Sequence, residues 1–211
     1  MASPSAVATS TDLVPAFRDD LCLDFANTRF WRGSDPPTEQ FQQFADVLDW
    51  AAKASLLAPE RMAAVRQWWQ AQPELAAAAL QETLALREAI YRIFYALAEN
   101  ATPAKADLDR LNQAIEIAPP RAGVVRLATG FAWRLQRPAT PDMPGLLAPV
   151  VWSAGDLLVG PRLARARRCA NERCLYLFVD DSKSGTRRWC SMSSCGNRAK
   201  AHRHYVRKKQ G

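Results

Sequence analysis

Histidine is nearly absent from this 211-residue chain: there are two, and neither precedes His202. The commonest general base is therefore missing from most of the molecule. No G-x-G-x-x-G, Walker or G-x-S-x-G sequence is present to cradle a phosphate or expose a nucleophile, so the chain reads as a non-enzyme. Long apolar runs are lacking too. The stretch 146–152, broken by Pro149, falls far short of the roughly 18 residues a membrane span needs, so no membrane association is expected. The first ten residues have neither a basic region nor an apolar core of signal-peptide type. A cytoplasmic protein is the expectation, and there clustered cysteines serve as metal ligands more often than as disulfides. No fixed-period repeat is visible.

Acidic residues are scarce in one place only. The formal charge of +7 averages two unlike parts. Residues 1–160 carry 14 Lys and Arg against 18 Asp and Glu, a net −4, whereas residues 161–211 carry 14 against 3, a net +11. No acidic residue follows Asp181. Four of the five cysteines (Cys169, Cys174, Cys190 and Cys195) lie in the basic part, and only Cys22 lies in the rest. This asymmetry points to a neutral-to-acidic body with a basic, cysteine-bearing C-terminal module.

The body reads as mostly helical with a small β element. Segment 20–28, DLCLDFANT, alternates at Leu21, Leu23 and Phe25 and suits a half-buried strand. Gly33, Pro36 and Pro37 then break regular structure, and Thr38 is placed to cap a helix carrying Phe41, Phe44 and Leu48. Pro59 and Pro73 open further helices, the second reaching about Glu99, and another runs over 103–117. Alternation over 125–135, with Gly130 in the middle, predicts two short strands, and 146–158 reads as helix despite Pro149 and Gly155. Asp24, Asn27, Thr28 and Arg87 are polar residues among apolar neighbours and are candidate ligand-sensing contacts. Ordinary capping and ion pairing is the plainer alternative.

In the tail, Cys-x4-Cys, fifteen residues and Cys-x4-Cys form a pattern suited to tetrahedral zinc. Strand composition in LYLFV (175–179), turn residues over 180–185 and a return over 187–189 predict a hairpin. Ser193 and Ser194 are candidate caps for a helix over about 195–208. The result is a treble-clef-like finger. A module of about fifty residues has too small a core to fold securely alone, so one structural Zn2+ per chain is expected to supply folding free energy. A mixed site using His202 or His204, or disulfides, are the alternatives. Arg187, Arg188, Asn197, Arg198, Lys200, Arg203, Arg207 and Lys208 are candidate DNA contacts, because Lys and Arg gain by releasing the counterions condensed on a phosphate polyanion.

The LYLFV hairpin, RRWCSM (187–192) and CGNRAK (195–200), in that order, resemble the CGNR zinc finger. LCLDFANTR (21–29) and LREAIYRIFYALA (86–98) are similar to the ABATE domain, associated with stress-induced transcription regulation. The resemblance implies an α+β chain: a flexible segment 1–15, an ABATE-like sensor domain over 16–160 and the finger over 161–211. It implies a bacterial transcriptional regulator that binds DNA, with Cys169, Cys174, Cys190 and Cys195 as zinc ligands and a small-molecule effector of unknown identity. One small finger reads few base pairs, so a homodimer or partner factor is expected. The alternative function is a non-sequence-specific RNA or single-stranded DNA module, or a protein-interaction zinc module. An enzyme built on Asp, Glu or Cys22 is a third reading.

Overall fold

A computed structural model describes residues 13–128, 130–136 and 141–210, with only the backbone given at 202–204, 207 and 210. Residues 13–15, expected to lie in a flexible segment, are strand. Strand β1 (Leu13–Pro15) pairs antiparallel with β5 (Gly130–Leu135), which pairs with β4 (Arg121–Leu127), and Val14 is buried beneath this sheet. Residues 1–12 lie outside the described residues. Gly130 has a φ of +141°, a conformation that glycine adopts without a Cβ clash, and it turns β4 into β5 as expected.

The expected strand over 20–28 is instead helix α1 (Leu21–Ala26). Five of its six residues are buried, and in so short and apolar a segment the periods of two and 3.6 are indistinguishable. Its position is set by Ser153, whose Oγ accepts from the Cys22 N–H at 2.9 Å and donates to the Asp19 carbonyl at 3.0 Å. Thr38 does not cap a helix either. It belongs to β3 (Thr38–Glu39), paired with β2 (Arg29–Phe30), and α2 (Phe44–Lys53) starts later because the Asp46 carboxylate accepts from the Gln42 and Gln43 N–H groups.

The remaining helices lie where proline and apolar spacing put them: α3 (Pro59–Gln70), α4 (Pro73–Ala98), α5 (Lys105–Ile117) and α6 (Met143–Val159). Helix α4 is the axis of the body, burying Leu86, Ala89, Ile90, Ile93 and Phe94, while Phe25, Phe41 and Trp50 cluster beside it. Among the described residues no helix is long and apolar enough to cross a membrane.

The finger's hairpin is built differently from the expectation. Strand β7 (Leu177–Val179) pairs with the upstream β6 (Ala166–Arg168), not with 187–189, which has no strand conformation. All three β7 residues are buried, and Leu177 and Val179 belong to the same core as α1 and α4. Burying β7 against the body favours a partner strand that also follows directly from α6, and β6 does so through the tight turn Pro161–Arg165. Residues 187–189 are left to run toward the third cysteine, joined back by the Ala170 N–H to the Arg188 carbonyl. Ser193 and Ser194 fall inside a π-helical turn, Met192–Gly196, and cap nothing, and α7 (Asn197–Gln210) follows directly from that turn.

Candidate metal centre and basic helix

The two cysteine pairs sit on two tight backbone turns. In the first, residues 171–174 form a knuckle in which the Asn171 carbonyl accepts from the Cys174 and Leu175 N–H groups, and its side-chain Oδ1 accepts from the Arg173 N–H. Leu175 leaves this knuckle at a φ of +55°. The π-helical turn closes the second pair, with the Gly196 N–H donating to the Ser191 carbonyl. Together they bring the Sγ atoms of Cys169, Cys174, Cys190 and Cys195 within 4.8 Å of one another.

The spacing suits zinc. Cys174 and Cys190 are 3.7 Å apart at sulfur, and Cys190 and Cys195 3.8 Å. A tetrahedral site with Zn–S bonds of about 2.3 Å has sulfurs about 3.8 Å apart. A disulfide, at about 2.0 Å, requires much closer approach, and all five cysteines are free thiols. Hydrogen bonds from Cys174 and then Cys190 pull the Cys169 thiol far below its usual range, and the same contacts push Cys174 and Cys190 up. A divalent cation relieves that competition by stabilising every thiolate at once. Asn171 adds an outer contact, its Nδ2 lying 3.5 Å from the Cys195 sulfur. The four cysteines can therefore hold one zinc ion, with no open coordination position. His202 and His204 have side chains outside the described residues.

Hydrogen bonds from several parts of the body fasten the cluster to it. Asn27, buried, donates from Nδ2 to the Leu177 carbonyl at 2.8 Å and accepts at Oδ1 from the Leu177 N–H at 2.9 Å. The Tyr91 hydroxyl donates to the Leu175 carbonyl at 2.9 Å. The Gly33 N–H donates to the Arg173 carbonyl at 3.3 Å.

The other candidate sensing residues lie behind these contacts. Thr28 donates to the Phe25 carbonyl and meets Arg87, a fully buried arginine held by a bidentate pair with Glu39, both contacts at 2.6 Å. Burial pushes Glu39 up, but the Arg87 hydrogen bonds, the Phe41 N–H and the Arg87 charge together outweigh it and hold the carboxylate below its ordinary value. Glu88 is held low in the same way, chiefly by Arg32. Arg32 in turn stacks 3.6 Å above the Tyr91 ring. Asn27, Thr28 and Arg87 are thus joined to the finger by protein partners. Asp24 stands apart, half-buried, its pKa raised by burial and opposed by Arg18. Cys22 is enclosed, and burial pushes its thiol up to about 12. Arg32, Glu39, Glu88 and Tyr91 carry no local sequence signal of this role, since the contacts Arg32–Glu88, Arg87–Glu39 and Tyr91–Leu175 span 56, 48 and 84 residues. Asn171, between the first two cysteines, is a turn signal that could have been read.

The candidate DNA contacts divide. The Arg187 guanidinium is spent inside the finger, donating to the Trp189 and Cys190 carbonyls and covering the Phe178 ring. Arg188, Asn197, Arg198, Lys200 and Lys208 are exposed. Arg188 lies over Trp189, Arg198 over Trp31, and Asn197 donates to the Ser193 carbonyl. Arg203 and Arg207 lie on α7, with side chains outside the described residues. Other finger cations face the body: Arg168 pairs with Glu99, and Arg162 with Asp19 and Asp181.

No curated protein matches this chain. Two family profiles do: the CGNR zinc finger over residues 165–208, and ABATE, described as a putative stress-induced transcription regulator, over residues 19–161. With its helical body and four-cysteine cluster arranged in that order, the chain belongs to the ABATE family and carries a CGNR zinc finger at its C-terminal end.

Proposed function

We propose that this chain is a bacterial, cytoplasmic transcriptional regulator without catalytic activity, in which the zinc-held finger binds DNA and the body responds to a small-molecule effector. The observation that carries the reading is the exposed cationic surface of Arg188, Arg198, Lys200, Lys208 and Lys209, which has no carboxylate pair among the described residues. Cations left unpaired on a rigid scaffold gain by displacing phosphate counterions. The finger's other arginines show the contrast, since those facing the body are already paired. Reading more than a few base pairs takes two fingers, so the active species is a homodimer or a pair with a partner factor.

Fluorescence anisotropy with duplex DNA at increasing salt tests this. About five phosphate contacts give a log–log slope near −4.5. Arg198→Ala and Lys200→Ala together should weaken binding and flatten the slope. Salt-independent binding, or none, would refute the reading, and equal or tighter binding to single-stranded DNA or RNA would transfer the surface to the alternative function.

A further inference from the structure

An open cleft of about 1030 Å3 separates the loop over residues 31–38 from the finger, and Arg188 and Arg198 of the proposed DNA surface stand on its wall. Two tryptophans, Trp31 from the body and Trp189 from the finger, line it together with Arg173, Arg188 and Arg198. Trp31 holds a φ of +51°, uncommon for a bulky residue, and such strain persists where surrounding contacts enforce it. Those contacts are present: the Ser34 N–H closes the turn on the Trp31 carbonyl, and Gly33 abuts the knuckle. Arg32 and Glu39, at either end of the loop, are both anchored in the buried ion-pair network. The walls of the cleft are therefore held from behind.

The charge balance restricts the occupant. Three guanidinium groups face Glu172 and, through Cys195, a four-thiolate centre that is net −2 when it holds zinc. The offset leaves little net charge inside the cleft, which favours an occupant with one anionic group over a densely charged polyphosphate. What the cleft offers is flat stacking surface with directional donors, since guanidinium groups and indole rings both accept a planar partner on their faces. Arg198 already stacks on Trp31 at 4.5 Å and Arg188 on Trp189 at 5.5 Å. We propose that this cleft binds a planar aromatic ring carrying a single anionic group, its ring against the tryptophans and its anion on the arginines. This deepens the effector half of the proposed function and rests on it for the ligand's regulatory role, whereas binding itself requires no DNA.

The test is isothermal titration of the zinc-loaded full chain, without DNA, against benzoate, 2-naphthoate and indole-3-carboxylate. The neutral 2-naphthalenemethanol and acetate separate ring from charge. At least one aromatic anion is expected to bind roughly tenfold or more tightly than either control, a difference of about 1.4 kcal/mol. Trp31→Ala and Arg188→Gln should each weaken it by a similar factor, and Trp31→Phe should retain it. Zinc content of every variant reports folding of the finger. Equal binding of the neutral compound, indifference to both substitutions, or no binding by any aromatic anion would overturn the proposal. DNA affinity measured in parallel keeps the two readings apart, because loss of DNA binding with the anion still bound refutes only the former.

Discussion

Asn27 and Leu177 are 150 residues apart in sequence, yet the Asn27 amide pairs with both main-chain groups of Leu177, at 2.8 and 2.9 Å. A side chain from the body thus acts as a one-residue strand along the free edge of β7. The donor and acceptor of a carboxamide match a strand's N–H and C=O, which no other side chain at this position supplies as well except glutamine.

Asn27→Ala should therefore cost about 1–3 kcal/mol, the range for leaving buried polar groups unpaired. Chemical denaturation of the zinc-loaded protein measures it. Asn27→Asp, which keeps the acceptor and loses the donor, should also destabilise. A change of less than about 0.5 kcal/mol in both variants, the usual range for surface substitutions, would show that the pairing contributes little.

Gly33 approaches the knuckle so closely that a Cβ would lie 1.7 Å from the Glu172 carbonyl oxygen. Backbone on both sides leaves no side chain to yield. Gly33→Ala is expected to separate the loop from residues 171–175 and to increase amide exchange there, without touching a cysteine. Unchanged exchange in that segment would mean that the loop and knuckle move apart at no cost.

Metal analysis should find about one zinc per chain, lost in Cys190→Ser and Cys195→Ser. Removal of zinc by a chelator should lower the melting temperature as well as unfold the finger, because the metal-bound segment shares a core with α1 and α4. Full retention of structure and stability after metal removal would argue against a structural zinc.

Acid should loosen the ion-pair network around Arg87. Glu39 and Glu88 are both held below the ordinary glutamate value, so their contribution is fully present above about pH 4.3 and is lost as pH falls through their lower folded values. Denaturation midpoints measured from pH 6 downward should fall in that window. Glu39→Gln should show a shallower dependence there, and an unchanged slope would place the acid sensitivity elsewhere.

The features legible in the sequence were those specified locally. Pro59 and Pro73 mark the starts of α3 and α4, and the cysteine spacing anticipates a cluster that three-dimensional geometry then closes. Where the reading differed, distant partners decided. The segment 21–26 is helical, and because almost every side chain in it is buried it lacks the polar face that distinguishes the two periods. The β7 strand was legible, but its partner was not: both candidate strands are short and arginine-rich, and the choice of 166–168 follows from the contact of β7 with the body. Arg87 is legible as a polar residue in apolar surroundings, whereas Glu39, its partner, lies 48 residues away in a two-residue strand.

Because Leu177 and Val179 complete the body's core, cutting the chain before the finger would not release an intact domain. It would expose the apolar floor on which β7 rests. Loss of a zinc ion held by the four cysteines is therefore expected to reach farther than the site itself, loosening the body along the floor that β7 covers.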